Sequence, residues 1–135
     1  MQRKGFGLIE ILVVIAIIGI LGAYQVVRLD KARKLARVAA AEKALSGLIS
    51  AAVLCQDAGQ NLLDSTSVAC DGNRFWHEGD ILCNGSDSEW PKVPFGVDEG
   101  VCDSNQGANT FSFTATTDTA TVTCTQDGCT KTDLP

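Results

Sequence analysis

Lys4-Gly5-Phe6-Gly7-Leu8-Ile9-Glu10-Ile11-Leu12-Val13-Val14-Ile15-Ala16-Ile17-Ile18-Gly19-Ile20-Leu21-Gly22-Ala23 opens with a base and a glycine and then turns apolar, with Glu10 as the one charge after Lys4. As a helix, residues 6–27 would measure about 33 Å at ~1.5 Å per residue, close to the roughly 30 Å hydrocarbon core of a bilayer. A secretory signal peptide would stop at a small-residue cleavage site after about 7 to 15 apolar residues. Here the run passes into a helical pattern without such a break. A carboxylate at mid-membrane depth costs at least about 2.5 kcal/mol, so Glu10 calls for a cationic partner.

The order Lys4-Gly5-Phe6-x-Leu8-Ile9-Glu10 followed by the apolar run resembles the class III signal of type IV pilins and pseudopilins. The resemblance implies that a prepilin peptidase cuts between Gly5 and Phe6 and methylates the new amine of Phe6. It also implies that Glu10 neutralises the Phe6 ammonium of an adjacent subunit inside a filament core. A buried charge pair of this kind sets register more than it adds stability. By motif the resemblance covers residues 3–30, and beyond them it is one of architecture. It departs from many major pilins in having Val27 where they carry a proline. Gly19 and Gly22 are the weak points instead, each costing about 1 kcal/mol against alanine in a helix interior.

Apolar residues make up 45% of the 135-residue chain, but they concentrate at its start, so the average conceals two materials. Charge divides the same way. Arg28, Lys31, Arg33, Lys34, Arg37 and Lys43 face only Asp30 and Glu42 over residues 28–43, a net of +4. From Cys55 onward thirteen acids meet Arg74, Lys92 and Lys131, a net of −10. Such a surface repels a phosphate backbone, which argues against nucleic-acid binding by the C-terminal part. The basic stretch reads as a solvated face or a set of subunit contacts.

Basic residues after the span outnumber Arg3 and Lys4 before it, and by the positive-inside rule alone that would place the C-terminal part in the cytoplasm. The cysteines argue the other way. Cys55, Cys70, Cys83, Cys102, Cys124 and Cys129 all lie in the polar part, where disulfides suit a small domain with a thin core. The reading therefore puts the head outside the cytoplasm. Structural zinc is the rival use of these thiols, but no Cys-x-x-Cys occurs and His77 is the single histidine. Six cysteines allow fifteen pairings.

Val26, Leu29, Leu35, Val38, Leu45, Leu48, Ile49, Ala52 and Val53 fall near one helical face, predicting a helix that continues from Phe6 to Leu54. At about 73 Å it is too long for this domain to bury, so its first half is expected to stand free of the head and to need lipid or sister subunits. Gly59 suits a left-handed cap beyond its end. Residues 60–109, rich in Gly and Asp and broken by Pro91 and Pro94, read as loops and short strands. Trp76, Trp90, Phe75 and His77 are read as core rather than as exposed binding residues. Asn84-Gly85-Ser86 fits a glycosylation sequon.

Residues 110–116 alternate apolar and polar, and so do residues 119–125, which is a hairpin pattern. Asp127-Gly128 marks a further turn. Cys124 and Cys129 flank that turn and could bridge, as in the C-terminal disulfide loop of many pilins. Calcium at Asp98, Glu99 and Asp103 matches no loop spacing. No cofactor and no metal is called for.

The expected fold is α+β, a long N-terminal helix, membrane-spanning in its first half, packed on a small antiparallel β-sheet head with disulfide-bonded loops. The expected divisions are a leader at residues 1–5, a transmembrane and filament-core half-helix at 6–27, an amphipathic half at 28–54, and the head at 55–135 ending in a β-hairpin. With one histidine, no nucleophile beside a base and no phosphate-cradling loop, the chain does not read as an enzyme. The function the resemblance implies is that of a structural subunit held in the inner membrane by a single span. It would be polymerised by an assembly platform and its ATPase into a helical homo-oligomer with other pilins, for adhesion, motility, DNA uptake or secretion. Before assembly its partners would be membrane lipid and prepilin peptidase. The destination would be an extracellular pilus or a periplasmic pseudopilus. Two alternatives are a minor pilin or type II secretion pseudopilin, and a membrane-anchored extracytoplasmic binding module that never polymerises.

Overall fold

The computed structural model of the protein describes Gly5, residues 7–92 and residues 100–135, apart from the side chain of Val27. Helix α1 spans Leu8–Asp57. Proline is absent from this span, so every residue can donate to the helical ladder, and Gly19, Gly22 and Gly47 are absorbed without a break. The helix ends three residues later than the hydrophobic pattern predicts, because the stop is set by backbone closure. Gly59 takes φ +72°, and its N–H donates to Gln56 O at 2.9 Å while Gln60 N–H donates to Cys55 O at 2.9 Å. These are the two bonds of a Schellman cap, which satisfies carbonyls that the last turn would leave bare.

The chain divides into two compact units, Met1–Arg33 and Lys34–Pro135. In the second unit, strands β1 (Asp71–Trp76), β2 (Gly100–Asn105), β3 (Thr110–Thr116), β4 (Ala120–Thr125) and β5 (Gly128–Asp133) follow α1. They form one sheet in the order β1-β2-β3-β4-β5 with every pairing antiparallel. The predicted hairpin is β3–β4, where Phe111, Phe113, Ala115, Val122 and Cys124 point inward and the intervening threonines and Ser112 outward.

Val38, Ala41, Leu45, Leu48, Ala52 and Cys55 alternate at three and four residues along α1 and are buried, and all but Ala41 join the inner face of the sheet in one core. The expected apolar face is thus buried only from Val38 onward. Leu35 is exposed in the second unit, and Val26 and Leu29 are exposed in the first. Fully burying a leucine such as Leu45 contributes about 1.5–3 kcal/mol.

The aromatic residues form the thickest part of this small core. Trp76 stacks on Trp90 with ring centroids 5.0 Å apart, and Phe113 meets Trp90 edge-on at 5.7 Å. Each indole nitrogen donates to a backbone carbonyl, Trp76 to Thr114 O at 3.2 Å and Trp90 to Leu63 O at 2.8 Å. Phe75 and His77 instead face solvent, because alternation along β1 turns the neighbours of Trp76 outward. The Trp76 indole lies across Gly100, its register partner on β2. A Cβ at Gly100 would fall 2.0 Å from the indole.

All six cysteines are bridged, Cys55 to Cys83, Cys70 to Cys102 and Cys124 to Cys129. The first two close 28 and 32 residues of sequence, which by loop entropy contributes roughly 3–4 kcal/mol each. The third joins directly paired residues across the β4–β5 turn and constrains less.

Among the described residues of the head, Asp64 is the buried charge. Its carboxylate accepts from Thr66 N and Val68 N, each at 2.8 Å, from the Thr66 hydroxyl, and from Arg74 at 2.9 Å. Burial alone would raise its pKa. The bonds from the Val68 N–H, the Arg74 guanidinium and Thr66 outweigh that and hold the carboxyl well below its ordinary 3.8.

Two outcomes follow from this packing. Gly100→Ala drives a methyl into the Trp76 indole and should destabilise the head by about 1–3 kcal/mol, seen as a lowered melting temperature that Gly107→Ala, in the open β2–β3 turn, does not reproduce. Because the folded Asp64 carboxyl titrates below its unfolded value, its stabilisation is full above about pH 4 and is lost as pH falls through the depressed folded pKa. The melting temperature of Asp64→Asn should therefore lie below wild type at neutral pH, and the gap should narrow in acid.

Candidate functional site at the N-terminal helix

Gly7 carbonyl accepts from Glu10 N at 3.0 Å and Ile11 N at 3.5 Å, which makes Gly7 the residue at the mouth of α1. The Glu10 carboxylate turns back and accepts from Gly7 N–H at 2.9 Å. This is half of a capping box, with the acid at the third helical residue and glycine at the cap where serine or threonine is usual. The acid also opposes the positive end of the helix dipole, worth about 0.3–1 kcal/mol. Sequence reasoning missed this local role. A cap with no side-chain oxygen lacks the residue that advertises the motif, and the remaining signal is the three-residue spacing of Gly7 and Glu10.

Among the described residues, the side chains that line the surface beside Glu10 are hydrocarbon. Ile9, Glu10, Val13 and Val14 line an open recess of about 380 Å³ on the helix surface. Among residues 8–26 the large apolar side chains are all exposed, from Leu8 at 84% to Val14 at 49%. The segment is long and apolar enough to cross a membrane. A carboxylate set beside an apolar recess can take a cation that carries an apolar side chain. An N-terminal phenylalanine has that chemistry.

The apolar run ends at Tyr24 and Arg28. The Arg28 guanidinium donates to the Tyr24 hydroxyl and lies 4.9 Å from the ring centroid. One turn of helix thus places an amphipathic ring and a cation together where hydrocarbon gives way to the basic stretch. Within the second unit, Arg37 reaches the β3–β4 turn, with its Nη1 3.0 Å from Asp118 Oδ2. Both groups are well exposed, so the pair contributes about 0–1 kcal/mol.

Of the remaining predicted residues, Phe6, the expected site of cleavage and methylation, lies outside the described residues; Arg3, Lys4 and Pro94 lie there too. So do Asp98 and Glu99 of the calcium reading; Asp103 is exposed on β2. Among the described residues no three His, Cys, Asp or Glu side chains gather where they could hold a metal ion. The six cysteines sit in the second unit as disulfides.

Residues 1–23 match a family model described as the prokaryotic N-terminal methylation motif. That motif is the class III signal of type IV pilins and pseudopilins, and the chain carries it. Among curated proteins and solved structures, none matches the chain.

Proposed function

We propose that the chain is a structural subunit of a type IV pilus-like filament, processed between Gly5 and Phe6, methylated on Phe6 and polymerised through residues 6–27. The observation that carries this reading is the exposed apolar surface of residues 8–26, continuous with the methylation motif and with Glu10 as its one charge. Monomeric soluble proteins seldom expose an apolar patch beyond a few hundred Å². In the precursor, lipid covers this surface and holds the chain in the inner membrane with the disulfide-bonded head outside the cytoplasm. In the fibre, sister helices replace the lipid. The role is structural and not catalytic.

Assembly removes the Phe6 ammonium from water, and the Glu10 carboxylate of a neighbouring copy supplies the opposite charge. The recess formed by Ile9, Val13 and Val14 beside Glu10 supports the same docking for the phenyl ring. Removing one partner of a buried pair typically costs about 3–5 kcal/mol. Loss of the cap alone costs about 0.5–2 kcal/mol. Prepilin peptidase, an assembly platform and other pilins are the partners this cycle requires.

Glu10→Gln separates the two roles of Glu10, because the amide oxygen still accepts from Gly7 N–H while the charge is gone. Expressed as the only copy, Glu10→Gln should be inserted and processed but give a sheared-filament yield reduced as severely as that of Glu10→Ala. If Glu10→Gln assembles like wild type and only Glu10→Ala fails, Glu10 is a helix cap and the charge-pair account is wrong.

A further inference from the structure

Where the helix cap, the loop before β1, the turn after Cys83 and the β2–β3 turn meet, they line an open cavity of about 410 Å³. Its wall is unusual for an acidic head in that, among the described residues, no ionisable side chain lines it. The polar groups there are the amides of Gln60, Asn61, Asn84 and Gln106 and the hydroxyl of Ser67. Leu63 and Val68 supply an apolar floor. We propose that this cavity binds a neutral carbohydrate.

The chemistry of the wall selects the ligand class. A carboxamide donates two hydrogen bonds and accepts at its oxygen, so amides from separate segments match a ring that carries both donors and acceptors on adjacent hydroxyls. With no cation or anion in the wall, neither a carboxylate or phosphate ligand nor an ammonium ligand would find a counter-charge. The volume falls within the roughly 300–1,000 Å³ of small-molecule sites.

The frame is also built before any ligand arrives. Cys55–Cys83 fixes the turn that carries Asn84 to the end of α1. Leu63 N donates to Leu82 O at 2.9 Å and Cys70 N to Leu62 O at 2.8 Å, tying both ends of the 60–69 loop to the core. Ligand binding therefore orders little new backbone, which preserves affinity.

The test uses the full chain in a detergent without a sugar headgroup, applied to an array of neutral oligosaccharides ending in glucose, galactose, mannose or N-acetylhexosamine, with sialylated and sulfated glycans alongside. At least one neutral glycan should be retained. Gln106→Ala, at an exposed position, and Asn61→Ala should each weaken that binding about tenfold or more, the scale of one lost hydrogen bond. Gln106→Ala should keep the wild-type melting temperature, and Gln126→Ala on the β4–β5 turn should change nothing. Retention of no neutral glycan, retention of charged glycans alone, or binding indifferent to both Asn61→Ala and Gln106→Ala would overturn the proposal. So would a loss of self-association in Gln106→Ala without glycan binding, which would assign the cavity to a loop of a second copy.

Discussion

An apolar helix surface that its own chain leaves bare is the constraint on which the rest of the molecule turns. Leu8, Leu12, Ile15, Ile18 and Ile20 are each more than half exposed. The hydrophobic effect does not allow that in water, so the segment must be solvated by hydrocarbon or by other copies of itself. Glu10 makes the two environments unequal. In lipid its charge is a cost, and beside a cation it is an attachment point. Its bond to Gly7 N–H holds the carboxylate at the mouth of the helix, where the proposed subunit contact would meet it.

The head answers a different problem. Residues from 34 onward must bury enough apolar area to fold although residues 8–26 contribute none of theirs to that core. The solution combines one helix face of small and medium residues from Val38 to Cys55, a five-stranded meander, and two stacked indoles. Three disulfides restrict the unfolded chain where long loops would otherwise make it too free. Asp64 locks the loop before β1 through bonds to its own backbone and to Arg74, and this leaves the neighbouring cavity wall free of charge.

Much of the fold was legible because local chemistry and tertiary role agree. Residues 110–125 alternate as a half-buried hairpin must, and Gly59 sits where only a left-handed cap ends the helix. The first two strands were hidden for a physical reason. Asp71-Gly72-Asn73 is turn chemistry, and it serves as a bulge where register slips between Asp71 and Arg74. Of the disulfides, only the bridge across the Asp127-Gly128 turn is local enough to suggest itself, whereas the other two join segments that the fold alone brings together. The capping role of Glu10 was masked by a glycine at the cap. The amide-lined cavity draws on four separate segments, so no single stretch announces it.

The central claim, that the mature chain begins at a methylated Phe6 and that its apolar helix is covered by its own kind, is tested most directly by mass spectrometry of the chain recovered from sheared cell-surface or pseudopilus filaments. The account predicts a mature polypeptide that starts at Phe6, carries one added methyl group on its amine and keeps all six cysteines oxidised. A filament-borne chain that still begins at Met1, or one that lacks the methyl group, would contradict it.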